Sequence, residues 1–132
     1  MAGAKCVAVK AKVDVKNIDD KKMPDAVNDQ IVDTITQLVN KEKGLTYDKR
    51  CADGWILTVT GTVKLDDSDD TTLIINLNFS GVDLAGQSDG FNASAKRSAG
   101  INPKKKLIDE VTSNVDGAVT AVMTKNILPA MK

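Results

Sequence analysis

The sequence predicts an α+β fold: a two-layer sandwich in the order strand-helix-strand-strand-strand-helix, with a mostly antiparallel sheet and two helices on one face. Three observations predict it. Four stretches alternate apolar and polar residues with period two, two stretches repeat apolar residues at spacings of three and four, and the helical stretches bracket a three-strand meander. Each strand has one apolar face and two amphipathic helices are present to cover it. With 132 residues, 42% of them apolar, the chain suffices for one core, and residues 1–132 are read as a single domain.

The first strand is Val7, Val9, Ala11, Val13 and Val15 alternating with Ala8, Lys10, Lys12, Asp14 and Lys16, a pattern with one wet face. Asn17 to Met23 is a polar connector. Pro24 stands as the first helical residue, where its missing N–H costs nothing, and Val27, Ile31, Val32, Ile35, Leu38 and Val39 form the apolar stripe of a helix ending at Gly44. Leu45 to Gly54 is turn-rich, with room for a short extended piece. Trp55, Leu57, Val59, Gly61, Val63 and Leu65 then alternate with Ile56, Thr58, Thr60, Thr62 and Lys64 as the second strand.

Asp66-Asp67-Ser68-Asp69-Asp70 has the composition of a hairpin turn, and Leu73, Ile75, Leu77 and Phe79 continue the alternation against Ile74, Asn76, Asn78 and Ser80. The third strand therefore runs antiparallel to the second. Gly86 to Gly90 turns the chain again, and Phe91, Ala93 and Ala95 against Asn92, Ser94 and Lys96 make a fourth strand of small residues. Asn102 as N-cap and Pro103 at the first position open a closing helix through Leu107, Ile108, Val111, Val115, Ala118, Val119 and Val122, which Pro129 ends.

Composition excludes much chemistry. There is no histidine, which removes Ser-His and Cys-His catalysis and histidine metal sites. The phosphate-loop, dinucleotide, nucleophile-elbow and HExxH motifs are missing, and the Asp66 to Asp70 run lacks the glycine and twelfth-position glutamate of a helix-loop-helix calcium site. The expectation is a protein that is not an enzyme, with no cofactor, no catalytic residue and no metal site. The acids of the helices, Asp25, Asp29 and Asp33, then Asp109, Glu110 and Asp116, stand opposite the apolar stripes as solvated faces. No apolar run approaches the roughly 20 residues of a membrane span.

Cys6 and Cys51 fit no CxxC or zinc spacing and are expected to be free thiols. A disulfide in an oxidising compartment is the alternative; it needs the first strand to join parallel to the second, putting both cysteines at one sheet end within the ~7 Å Cα reach of such a bond. The start carries no signal-peptide pattern. Localisation reads as cytoplasmic as it stands, or periplasmic or secreted if the start is a trimmed mature sequence.

Charge is segregated although 18 basic and 18 acidic residues cancel. Asp53, Asp66, Asp67, Asp69, Asp70, Asp83 and Asp89 stand against Lys64 between Cys51 and Gly90. Lys96, Arg97, Lys104, Lys105 and Lys106 then follow without an acid up to Ile108. Three lysines in a first helical turn oppose the helix dipole. The parallel course of the second and fourth strands brings the acidic hairpin to these lysines, so mutual compensation is expected; the alternative is a bound anion at the helix start.

From Pro24 to Lys132 the order helix, three antiparallel strands, helix resembles the double-stranded-RNA-binding domain. That family places a Gly-Pro-x-His loop in the minor groove. Here the corresponding loop is Asp66-Asp67-Ser68-Asp69-Asp70, which phosphates repel, so the function does not carry over and a nucleic-acid partner is disfavoured. The same order is similar to that of small bacterial envelope accessory domains.

The functional expectation is a non-catalytic interaction or assembly module that presents a polar sheet face, Thr58, Thr60, Thr62, Asn76, Asn78 and Ser80, or a strand edge to a protein partner or a second copy. The alternative is an anion or nucleic-acid binder at Lys96, Arg97, Lys104, Lys105 and Lys106.

Overall fold

The computed structural model describes residues 4–131. Its elements are β1 (Lys5–Lys16), α1 (Met23–Lys41), β2 (Leu45–Tyr47), β3 (Trp55–Leu65), β4 (Thr72–Asp83), β5 (Phe91–Gly100) and α2 (Leu107–Val122). A π-helical turn, Met123–Ile127, and a last helical turn, α3 (Leu128–Met131), complete the chain. The strands form one sheet in the order β2-β1-β3-β4-β5. The sheet is mixed, because β1 runs parallel to both neighbours while β3, β4 and β5 are antiparallel.

The apolar alternation turns one sheet face inward. Val7 and Val13 of β1, Trp55, Leu57, Val59 and Val63 of β3, and Leu73, Ile75, Leu77 and Phe79 of β4 are buried there. Met23, Val27, Ile31, Ile35 and Val39 of α1 and Val111, Val115, Val119 and Val122 of α2 meet them, giving a single core under both helices. Each such side chain removed from water contributes about 1.5–3 kcal/mol before entropy is counted.

Three departures from the sequence reading have local causes. Asn102 does not cap a helix. Its side-chain oxygen accepts the N–H of Lys104 at 3.0 Å and its carbonyl accepts that of Lys105 at 3.1 Å, closing a turn that keeps Lys104, Lys105 and Lys106 ahead of α2. The first turn of α2 holds Asp109 and Glu110 instead, the sign that the dipole favours, and Glu110 accepts the Asn102 N–H at 2.7 Å.

Pro129 does not end the last helix. It has no N–H to offer one turn back, and the backbone just before it is widened into the π-helical turn, where the Leu128 N–H donates to the Met123 carbonyl. Met123, Ile127, Leu128 and Met131 thereby extend the core.

Cys6 and Cys51 are not free thiols; they form a disulfide with Cα atoms 5.6 Å apart. The parallel pairing of β1 with β2 sets Cys6 opposite Thr46, and the β2–β3 connector brings Cys51 back over it. Closing a loop of this 45-residue separation stabilises the fold by about 4 kcal/mol on the chain-entropy account.

Candidate protein-interaction surface

The outward positions of the sheet are set by strand register. Lys10, Thr58, Ser80 and Asn92 form one row across β1, β3, β4 and β5; Lys12, Thr60, Asn78 and Ser94 form the next; Asp14, Thr62, Asn76 and Lys96 form the third. Neighbouring strands lie about 4.8 Å apart, so the six polar residues predicted from sequence become one continuous patch. α1 and α2 lie on the other side of the sheet, and among the described residues nothing covers this face.

Short Ser, Thr and Asn side chains occupy its middle and the long Lys10 and Lys12 side chains stand along β1. The result is a shallow hollow of about 540 Å³ lined by Thr58, Thr60, Asn78, Ser80, Asn92 and Ser94. Among the described residues, none of these side chains has an intramolecular hydrogen-bond partner. The hollow is thus a lattice of uncommitted hydroxyls and carboxamides on a rigid β scaffold. Asn92 and Ser94 were legible as outward residues of a strand, but their place beside Asn78 and Ser80 needs the β4–β5 register.

The basic residues singled out from sequence do not form one site. Lys96 points outward beside Asn76, whereas Arg97, one position on, lies on the helix side with its guanidinium against Gly117 of α2; a Cβ at that position would collide with it. Lys104, Lys105 and Lys106 sit in the exposed turn before α2. Lys105 does share a small cleft with Asp70, Thr71 and Pro103, and the Ile101 N–H donates to the Thr71 carbonyl at 2.7 Å. The acidic hairpin and the lysine turn are neighbours at one end of the sheet.

Two hairpin carboxylates are used by the turn itself. Asp66 accepts the N–H and hydroxyl of Ser68, and Asp69 accepts the N–H and hydroxyl of Thr71 and the hydroxyl of Thr72. These bonds hold both carboxyls below the usual carboxylate range.

The opposite sheet end is tied together around Asp83, whose side chain is fully buried and pairs with the Lys5 ammonium at 2.9 Å. Asp83 also accepts backbone N–H groups of Ala85, Gln87 and Ser88. The Lys5 hydrogen bond first, then the donors from Ala85 and Ser88, hold its carboxyl below the ordinary range against the opposing effect of desolvation. Lys5 in turn lies 4.9 Å above the Trp55 ring, which packs on Phe91 at 5.5 Å.

Cys6, Cys51 and Asp53 are the one group of metal-ligand types that converges among the described residues. The disulfide removes the thiolates such a site needs. Among the described residues no helix is long and apolar enough to cross a membrane.

No family model and no curated protein matches the sequence. Solved structures do match. A PelC dodecamer from Paraburkholderia phytofirmans is similar at 10% identity and a TM-score of 0.54, over 94% of this chain and 88% of that one. A Xanthomonas campestris protein with family model DUF330 is similar at 11% identity and a TM-score of 0.57, over 98% of this chain and 85% of that one. At these identities the likeness is one of fold, and it extends over almost the whole chain.

Proposed function

We propose that this protein is a non-catalytic assembly module that associates through its open sheet face in an oxidising compartment. The observation that carries the reading is the patch of Thr58, Thr60, Asn78, Ser80, Asn92 and Ser94, adjacent, rigidly held and without internal partners. Such a face offers many hydrogen bonds at little ordering cost, since β scaffolding has already fixed the backbone. One protein that shares the fold, PelC from Paraburkholderia phytofirmans, is a dodecamer in two crystal forms, which supports self-association as the form that assembly takes. The Cys6–Cys51 disulfide supports placement outside a reducing cytosol, in a periplasmic, envelope or extracellular setting.

Lysine-reactive labelling of dilute and concentrated protein, read by mass spectrometry, tests this. Lys10, Lys12 and Lys96 border the patch, and Lys104, Lys105 and Lys106 stand away from it. The reading expects protection of the first group to grow with concentration while the second stays reactive. Equal reactivity of both groups at every concentration contradicts it.

A further inference from the structure

The zero net charge conceals a separation between the two surfaces of the sandwich. On the outward positions of β1, β3, β4 and β5 stand Lys10, Lys12, Lys16, Lys64 and Lys96 against one acid, Asp14. On the helix layer the sign reverses along α1: α1 carries Asp25, Asp29 and Asp33 against Lys41, while α2 carries Asp109, Glu110 and Asp116 with Arg97 and Lys125 beside it. Among the described residues these lysines have no ion-pair partner, nor do Asp25 and Asp29.

Asp25, Asp29 and Asp33 recur every four residues, opposite the buried stripe of Val27, Ile31 and Ile35. Their charges repel along the helix, and nothing on that stripe between Asp25 and Asp33 offsets them. The row advances about 6 Å per step along α1, and alternate residues such as Lys10 and Lys12 advance about 6.6 Å per step along β1. Because α1 packs on the inner side of β1, tied to it by Asn28 at Val13, the acidic row and the lysine row lie back to back on opposite surfaces of one molecule.

The geometry points to a head-to-tail contact between two copies of this chain, in which the lysine-bordered sheet face of one receives the aspartate row of α1 of the next. This deepens the assembly reading above and rests on it. The occupant follows from charge complementarity: the surface that matches the basic sheet face in sign and pitch is the chain's own helix layer. A contact between two different surfaces is heterologous, so repetition closes into a ring or continues as a filament rather than stopping at a twofold dimer.

Two charge-reversal variants of the full chain test it, Lys10→Glu/Lys12→Glu with a blocked sheet face and Asp29→Lys/Asp33→Lys with a blocked helix face, with circular dichroism confirming that each is folded. By light scattering each alone is expected to associate at least tenfold more weakly than the unaltered protein. Mixed, each supplies the surface that the other retains and the two reversed surfaces are opposite in sign, so association of the two variants in equal proportion is expected where neither associates alone. Asp29→Asn/Asp33→Asn, which changes charge without reversing it, should weaken association less.

If the helix variant associates as the unaltered protein does while the sheet variant fails, the head-to-tail contact is overturned and a face-to-face assembly stands. An unaltered protein that stays monomeric overturns both readings. Two variants that are each monomeric and do not combine overturn the head-to-tail contact, and binding of polyphosphate by the unaltered sheet face in that case assigns the lysines to a polyanion instead.

Discussion

Asn28 of α1 holds the backbone of Val13 in β1 at both of its polar groups: the Val13 N–H donates to Asn28 Oδ1 at 2.8 Å and Asn28 Nδ2 donates to the Val13 carbonyl at 3.1 Å. β2 ends its pairing with β1 at Val7, so beyond that point the outer edge of β1 has no neighbouring strand. One carboxamide does at Val13 what a paired residue would do, and it anchors α1 to the sheet. An open strand edge is a template for unwanted pairing, and this contact shortens it.

Replacing Asn28 with Ala removes both bonds and is expected to lower stability by about 1–3 kcal/mol, measured by urea unfolding. Asn28→Asp keeps an acceptor for the Val13 N–H but faces the Val13 carbonyl with negative charge, so at neutral pH it should not restore the loss. Full stability in Asn28→Ala would show that water replaces the carboxamide at no cost.

Reduction of the Cys6–Cys51 bond, or its replacement in Cys6→Ser/Cys51→Ser, is expected to destabilise the protein by about 4 kcal/mol without altering the sheet. Intact mass in the absence of reductant should be about 2 Da below that of the dithiol form, since forming the bond removes two hydrogens. Thermal unfolding with and without reductant reads the first expectation; identical curves for the fully reduced and oxidised protein contradict it.

The Asp83 carboxyl gives a pH signature. Its folded-state pKa is depressed, chiefly by the Lys5 hydrogen bond, so the unfolded chain takes up its proton first as the pH falls. The stabilisation is complete above the ordinary value of 3.8 and is lost as pH drops below it toward the folded pKa. Asp83→Asn should be less stable than the unaltered protein at neutral pH and show a shallower acid decline. Parallel declines for the two proteins would remove Asp83 from the acid response.

Gly61 lies within β3 at φ 134°, and a Cβ there would strike the Asn76 carbonyl of β4. Gly61→Ala is expected to cost about 1–3 kcal/mol in backbone strain alone, and more where β4 must shift. Differential scanning calorimetry measures it, and a variant with an unchanged melting temperature would contradict the strained geometry.

The strands and helices were legible because alternation and 3.6-residue spacing carry over directly into burial, as in the run from Trp55 to Leu65. The start of α2 was not. Asn102-Pro103 reads equally as a cap with a first helical residue and as a turn, and the deciding bond comes from Glu110, eight residues away. The disulfide depended on β1 running parallel to its neighbours, which no local spacing records. For the candidate site, alternation alone named Thr58, Thr60, Thr62, Asn76, Asn78 and Ser80. Setting Asn92 and Ser94 beside them required the β4–β5 register, whereas alternation along β5 already separates Lys96 from Arg97. Charge counted along the chain showed an acidic and a basic segment, while the separation between sheet face and helix face appears only after alternate residues are sorted by side.

The open sheet face as the contact surface is tested most directly by the solution mass of Thr60→Arg beside that of the unaltered protein, by sedimentation at about 0.01 M and about 1 M salt, where screening lengths are about 30 Å and 3 Å. Thr60 lies at the centre of the hollow, where a long cationic side chain leaves the core untouched but fills the space a partner would enter. The account predicts that the unaltered protein is oligomeric at low salt and dissociates at high salt, and that Thr60→Arg is a folded monomer in both. An oligomer of unchanged mass in Thr60→Arg, or a monomer for the unaltered protein in both salts, would contradict it.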